Sequence, residues 1–471
     1  MFQSLEETQA FIERNGIRMV DFKLTDIDGR WRHILIPARR LDADTMKNGI
    51  GFDGSNYGYA PVENSDMAFI PDVGSAFRDP FAEVPTLAMA GDVLVIDRPA
   101  NRPFDQYPRN VARRALEYMR GTGIADEMVI GPEFEFNVFD AVDFETRPGR
   151  TSYSISSAEA GWNGGGGPAV PRLGGYHIDR PQDGTSDLRS RMCLMMEDMG
   201  IRVKYHHHEV GGCGQLEIEV ELGEMAKMAD DTMAAKYVIK NAAARAGKTA
   251  TFMPKPAADE AGNGMHVHML LLKGGAPLFY DEAGYAQLSD TALYFIGGLL
   301  SHARALCAIT NPSTNSFRRL VPGFEAPVTI GYATANRSAV VRIPAYAKSP
   351  RVKRFELRNP DATCNPYYAY AAMLMAGLDG ILNRTDPRSH GWGPFDFNLY
   401  DLPPAEKAKI DSLPATLYEA LDALESDHAW LTAGGVFPER LIQIWIGRKR
   451  READAIERVP HPAEFAKYYD I

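Results

Sequence analysis

Two kinds of hydrophobic spacing take turns along this chain of 471 residues. Where apolar and polar side chains trade places at every second residue, a strand buries one face and turns the other to water or a ligand. Gln215-Leu216-Glu217-Ile218-Glu219-Val220-Glu221 keeps that alternation strictly, and Gly131-Pro132-Glu133-Phe134-Glu135-Phe136 keeps it over a shorter run. Further strands read out over 19–25, 32–36, 92–97, 202–208, 265–272, 338–343 and 354–358. The turn Asp26-Ile27-Asp28-Gly29 joins the first two as a hairpin. Helical spacing predicts helices over 1–15, 108–120, 186–199, 224–246, 290–309, 366–382, 417–424 and 439–456, with Gly121 and Gly123 closing the second. Residues 149–175, rich in Gly and Ser, read as one long loop. The Pro-containing stretch 98–108 separates a domain over 1–105 from one over 106–471. The segment His461-Pro462-Ala463-Glu464-Phe465 is apolar enough to dock on the body or on a neighbouring subunit.

The alternation also places the candidate chemistry. Glu133 and Glu135 point to one face while Phe134 and Phe136 point to the other. Two like charges on a half-buried face repel each other unless a cation sits between them. Glu209, Glu217, His266 and Glu356 fall in other strand-like segments, and Glu209 and Glu217 can meet across adjacent strands. Five carboxylates and one imidazole suit a hard divalent ion such as Mg2+ or Mn2+ rather than a thiolate-bound zinc. After the turn Gly262-Asn263-Gly264, His266 and His268 share a face, which fits one on metal and one on phosphate. Arg318, Arg319, Arg337, Arg342, Arg351, Arg354 and Arg358 cluster late in the chain, several inside apolar runs, as bidentate binding of phosphate or carboxylate requires. Gly247-Lys248-Thr249 is not a P-loop, because Ala242 stands where that loop needs a glycine.

Composition narrows the partners. Lys+Arg 51 against Asp+Glu 62 gives a net charge of −11, which argues against nucleic acid. Cys193, Cys213, Cys307 and Cys364 form no metal- or disulfide-like spacing, as expected in a reducing compartment. The acidic start lacks a signal-peptide pattern, and no apolar run approaches bilayer length. A cytoplasmic protein without membrane contact is the expectation. Cys213, between two candidate ligands, is expected to be sensitive to oxidation.

Several long segments together resemble the bacterial type I glutamine synthetases, nearly end to end. They include Val20-Asp21-Phe22 through His33, Phe52-Asp53-Gly54-Ser55, Asn64-Ser65-Asp66-Met67 and His206-His207-His208-Glu209. Gly247-Lys248-Thr249-Ala250-Thr251-Phe252-Met253-Pro254-Lys255-Pro256, Gly264-Met265-His266, the run 311–327, Asn336-Arg337-Ser338 and the run 398–404 continue the likeness.

The resemblance implies an α+β fold: a small N-terminal β-grasp domain and a large catalytic domain of antiparallel strands flanked by helices. It implies ATP-dependent ligation of ammonia to L-glutamate through γ-glutamyl phosphate, in dodecamers of two hexameric rings with shared active sites. One metal would take Glu135, Glu209 and Glu217, and the other Glu133, His266 and Glu356. Arg337 would stabilise the transferring phosphoryl group. His268, Arg342 and Arg351 would hold ATP, while Gly262, Arg319, Glu325 and Arg358 would hold glutamate. Asp53, from a neighbouring subunit, would deprotonate ammonium, and Glu325 would ride on a flap that excludes water. Tyr400 matches a tyrosine modified by an adenylyltransferase in one branch of the family. The chain departs from the family pattern at Asn56, Lys204, Leu222, Ala261, Leu270 and His177-Ile178-Asp179-Arg180. Those departures leave two alternatives of the same fold: a ligase joining glutamate to a polyamine or methylamine, and a non-catalytic regulatory paralogue.

Overall fold

The computed structural model describes residues 2–59, 65–97, 100–163, 169–323, 326–334, 337–397, 403–407 and 409–470. After a helix over Leu5–Arg14, strand β1 (Met19–Thr25) pairs antiparallel with β2 (Trp31–Pro37), as the hairpin signal predicts. The hairpin turn is closed by Asp26 Oδ1, which accepts from the Arg30 backbone N–H at 2.9 Å. A second sheet is built from β3 (Ile50–Asp53), β4 (Asp66–Pro71), β7 (Gly91–Val95) and β8 (Arg102–Pro103). The first is completed by β5 (Phe77–Arg78) and β6 (Thr86–Met89), the latter parallel to β1. Phe22 of β1 meets Phe69 of β4, ring centroids 5.3 Å apart, which fastens the two sheets together.

The larger part is organised by β9 (Glu127–Phe139), a strand long enough to serve several neighbours. Around it stand β12 (Val203–His208), β13 (Gln215–Val220), β16 (Val267–Lys273), β20 (Phe355–Leu357), β19 (Ala339–Ile343) and β18 (Thr329–Thr334). The order is β12-β13-β9-β16-β20-β19-β18, antiparallel throughout except between β18 and β19. Short strands β14 (Gly223–Glu224) and β15 (Thr249–Thr251) also pair with β9, and β17 (Ala276–Pro277) with β16. Phe134 and Phe136 are fully buried in a core shared with the helices Met225–Arg245 and Pro366–Asn383. Burying such a ring is favourable by roughly 1.5–3 kcal/mol, which fixes which face of β9 turns inward. The expected α+β arrangement of antiparallel strands flanked by helices is what forms. The two parts touch where Asn365, which caps the helix Pro366–Asn383, donates to the carbonyls of Asp26 and Ile27 in the first hairpin.

Two expectations are corrected. The helix read over 290–309 is two helices, Asp290–Ser301 and Ala303–Thr310, bent by 75°. The break falls at His302, whose ring is drawn aside to Asp427 (2.8 Å) and Asp379 (3.1 Å), a tertiary demand that periodicity cannot register. The stretch read as one loop over 149–175 begins with a strand. In it β11 (Arg150–Ser156) pairs along its whole length with β10 (Ala141–Arg147) in an exposed hairpin, while residues 164–168 lie outside the described ones. A Ser-rich composition concealed a strand whose hydrogen bonds come from its partner rather than from burial. The last helix, Pro462–Tyr468, does not dock on its own chain: Phe465, Tyr468 and Tyr469 are all exposed. Among the described residues no single helix is long and apolar enough to cross a membrane.

Candidate active site

Strand register assembles the site. Across β9 and β13, Glu135 stands opposite Glu217 and Glu133 opposite Glu219, so four carboxylates share one sheet face. The row continues outward from Glu217 to His207 on β12. In the other direction His268 on β16 stands opposite Glu356 on β20, and Glu356 opposite Arg342 on β19. Like charges directly opposed across a sheet are destabilising, so this face is folded in spite of its own repulsion.

The side chains then gather in two groups. His266 Nδ1 lies 2.9 Å from Glu133 Oε2 and 3.4 Å from Glu356 Oε1. His207 stands 3.8 Å from both Glu209 and Glu217. Within each trio, Glu133/His266/Glu356 and His207/Glu209/Glu217, one ligand atom per residue lies within 4.8 Å of the others. A third trio of the same compactness is Glu133, Glu219 and His268. Glu135 stands between the first two groups, 3.7 Å from His266 Nε2, with its other oxygen accepting from the Gly264 N–H at 2.6 Å. Gly264 leaves room for both neighbours: a Cβ there would lie 2.4 Å from Arg319 Nη2 and 2.8 Å from His266 Nε2, so a larger residue would displace them.

Charge is unevenly balanced across the face. Burial pushes the Glu217 carboxyl well above its ordinary range, and Glu133, Glu209 and Glu135 push it the same way. Burial also opposes ionisation of Glu133, but hydrogen bonds to His266 and His268 overcome it and hold the carboxyl well below the usual value. Glu356 is held low against burial and against Glu133 by Arg358 and the two histidines. Arg342 donates to Glu356 Oε2 at 2.7 Å and Arg358 to Oε1 at 3.0 Å. Glu219 Oε2 and His268 Nδ1 are buried without a hydrogen-bond partner among the described residues. Orphaned acceptors, a carboxyl forced up by its neighbours and an oxygen–imidazole donor set together fit hard divalent cations.

Glu133, Glu135, Glu209, Glu217, Gly262, His266, Arg319, Arg337, Arg342, Glu356 and Arg358 line one cavity of about 210 Å³. His268 stands behind it, 2.9 Å from Glu133 Oε1. Arg351 is exposed and does not line the cavity, nor does Asp53, which ends β3 on the other domain. Hydrogen bonds from the Ser55 hydroxyl and N–H hold the Asp53 carboxyl low, and Asn56, one of the departures, adds a donor at 2.9 Å. Glu325 and Tyr400 lie outside the described residues.

Sequence reasoning passed over His207 and Glu219 as ligand candidates. Both sat in segments it had singled out, but only register shows that they face the cluster. Tyr176, Tyr205 and Tyr346, which also line the cavity, carried no signal in the chain.

Family models match the chain over nearly its whole length: the glutamine synthetase catalytic domain over residues 105–468 and the glutamine synthetase beta-Grasp domain over residues 16–96. The chain belongs to the glutamine synthetase family. A glutamine synthetase of Frankia alni is 47% identical, with 100% of both chains covered. A protein of Cupriavidus pinatubonensis named 3-hydroxylaminophenol mutase is 43% identical, again over 100% of both chains. The Plasmodium falciparum glutamine synthetase structure superposes with a TM-score of 0.88 at 28% identity, over 99% of each chain. Glutamine synthetases use ATP and Mg2+ or Mn2+, and the family is oligomeric.

The departures from the glutamine synthetase pattern now have places. Lys204 forms an ion pair of 2.5 Å with the buried Glu219 and lies over the rings of Tyr205 and Tyr346. Ala261 lines the cavity beside Gly262, and Leu270 is core. Leu222 packs against the spot where a Cβ on Gly131 would stand, at 3.2 Å. The expected oxidation sensitivity of Cys213 is corrected: the thiol is buried and burial pushes it up to about 12, which removes the reactive thiolate.

Proposed function

We propose that this chain joins ammonia to the γ-carboxylate of L-glutamate at the expense of ATP, through γ-glutamyl phosphate. The observation that carries this reading is the single cavity in which five carboxylates, two imidazoles and four arginines converge. Glu135, Glu209 and Glu217 would hold one Mg2+ or Mn2+, with His207 beside them, and Glu133, His266 and Glu356 the other. When bound, these ions supply charge neutralisation for phosphoryl transfer.

The chain's own groups do the rest. Arg337 balances charge on the transferring phosphoryl group, and Arg342 and Arg351 orient the ATP phosphates, with His268 acting through Glu133. Gly262, Arg319 and Arg358 receive glutamate. Glu325, outside the described residues, would keep water from the acyl phosphate. Asp53, held ionised by the Ser55 hydroxyl and N–H, accepts the proton of ammonium in the site of a neighbouring copy. That sharing fits a dodecamer of two hexameric rings. Tyr400 is the residue an adenylyltransferase would modify, and the setting is cytoplasmic.

The test is phosphate release from ATP with Mg2+ and glutamate, offered ammonium, methylamine or a polyamine, with the product identified by mass. Glutamine formed preferentially from ammonium is the expected result. Preference for another amine would overturn it in favour of an amine ligase. The relative named 3-hydroxylaminophenol mutase motivates one more arm. Conversion of 3-hydroxylaminophenol in the absence of ATP, without any glutamine formation, would overturn the ligase reading.

A further inference from the structure

A second cavity, larger than the one that holds the acidic cluster, opens elsewhere in this chain. At about 690 Å³ it lies where the first hairpin meets the helix Met225–Arg245, and residues of both domains line it. Arg30 comes from the hairpin, and Lys236 and Lys240 from the helix, one turn apart on one face. None of the three forms an ion pair with a carboxylate among the described residues. Lys236 donates to the Ala362 carbonyl at 2.6 Å, and both lysines stand 5.8 Å from the centre of the Phe252 ring. The other lining cation, Lys449, is already matched by Glu452 at 2.9 Å and Asp28 at 3.6 Å.

Three cations crowded without a direct carboxylate partner are costly, and Lys236 registers it. Burial pushes its ammonium down to about 8, with Lys240 and Arg30 pushing the same way against Cys364 and Asp361. Arg30, Lys236, Lys240 and Lys449 against the two lining carboxylates Asp28 and Glu452 leave the cleft net positive, and a net-positive cleft in an acidic protein attracts anions. Part of the remaining wall is aromatic. Tyr237, Phe252 and Trp31 line it, and the Trp31 indole N–H is buried without a partner among the described residues. A cation triad beside flat rings and a spare N–H donor suits an anion with a planar body.

We propose that this cavity is a second binding site, for a small phosphorylated molecule with a flat ring, held by Arg30, Lys236 and Lys240. The site is independent of the ligase reading, because none of these residues lines the acidic cavity.

Pyridoxal 5′-phosphate is a suitable probe for the full assembled chain. Its phosphate and ring match the site, and its aldehyde condenses with a neutral lysine amine, releasing water; borohydride then reduces the imine to a stable amine. Peptide mapping by mass is expected to find Lys236 or Lys240 labelled at least tenfold over the other lysines, with inorganic phosphate suppressing the label. Lys240→Gln, at an exposed position that should not disturb folding, is expected to lower labelling at Lys236 at least fivefold, and Arg30→Gln likewise. The readout needs no ATP, glutamate or divalent ion. Labelling spread evenly over exposed lysines, or a label indifferent to phosphate and to both substitutions, would overturn the proposal.

Discussion

Glu217→Gln separates the fold of the site from its use. The ligand atoms of His207, Glu209 and Glu217 lie within 4.8 Å of one another. Two unit charges at that distance repel by about 3.5 kcal/mol at an effective dielectric constant of 20. The full penalty is not realised, because the Glu217 carboxyl, pushed well above its ordinary value of 4.5, takes up a proton instead. Replacing it by an amide of the same shape should therefore stabilise the chelated protein by about 1–3 kcal/mol, or roughly 2–4 °C in melting temperature for a chain this long. The pH dependence has a definite sign. Between 4.5 and the raised native value the folded state binds more protons than the unfolded one, so the stability of the chelated parent falls as pH rises through that window. The variant should lack that slope. Saturating Mn2+ should raise parent stability by roughly 3–4 kcal/mol and the variant by less than half of that. Scanning calorimetry in chelator and in Mn2+ reads both numbers. A variant that melts at or below the parent in chelator, and gains as much from Mn2+, would refute the account of a cation-neutralised cluster.

Gly264→Ala should leave the protein folded but lower kcat/KM for glutamine formation by roughly 100-fold, since the new methyl displaces Arg319 and His266 together; steady-state kinetics beside a melting curve checks it. Burial opposes charge on His302, yet hydrogen bonds to Asp379 and Asp427 raise it from 6.5 to about 9. Its contribution, up to about 3 kcal/mol, is fully present below pH 6.5 and lost as pH rises through 9, so denaturant titrations of His302→Gln should be flat over that range where the parent is not. Burial lifts the thiols of Cys213, Cys307 and Cys364 to about 12 and that of Cys193 to about 11. A disulfide thiol reagent should therefore modify the folded protein more slowly than the unfolded one by roughly 100-fold or more, and a burst of one thiol per chain in the native state would contradict it.

What could be read from the chain was whatever repeats every second or every third to fourth residue. The strand 19–25 was legible to the residue, and the pairing of Glu133 with Glu135 followed from period alone. What period cannot carry is register. Glu219 sits in the same alternation as Glu217, yet only the alignment of β13 against β9 shows that it opposes Glu133. His207 is one of three adjacent histidines, and nothing local distinguishes the one that reaches Glu209 and Glu217. The bend at His302 and the β10–β11 hairpin were missed for the same reason: each is held by partners distant in sequence or by pairing rather than by burial.

The length of β9 has a consequence for how such a chain diverges. Its substitutions act one side chain at a time, as do the departures at Lys204 against Glu219, Ala261 on the cavity wall and Leu270 in the core. A gain or loss of one residue within β9 is another kind of change. It would turn Phe134 and Phe136 into the cavity and Glu133 and Glu135 into the core, and would shift four paired strands with them. Drift in this strand is therefore free to alter letters but not their count, and descendants of this chain would record their history in β9 as replacements within a segment of fixed length.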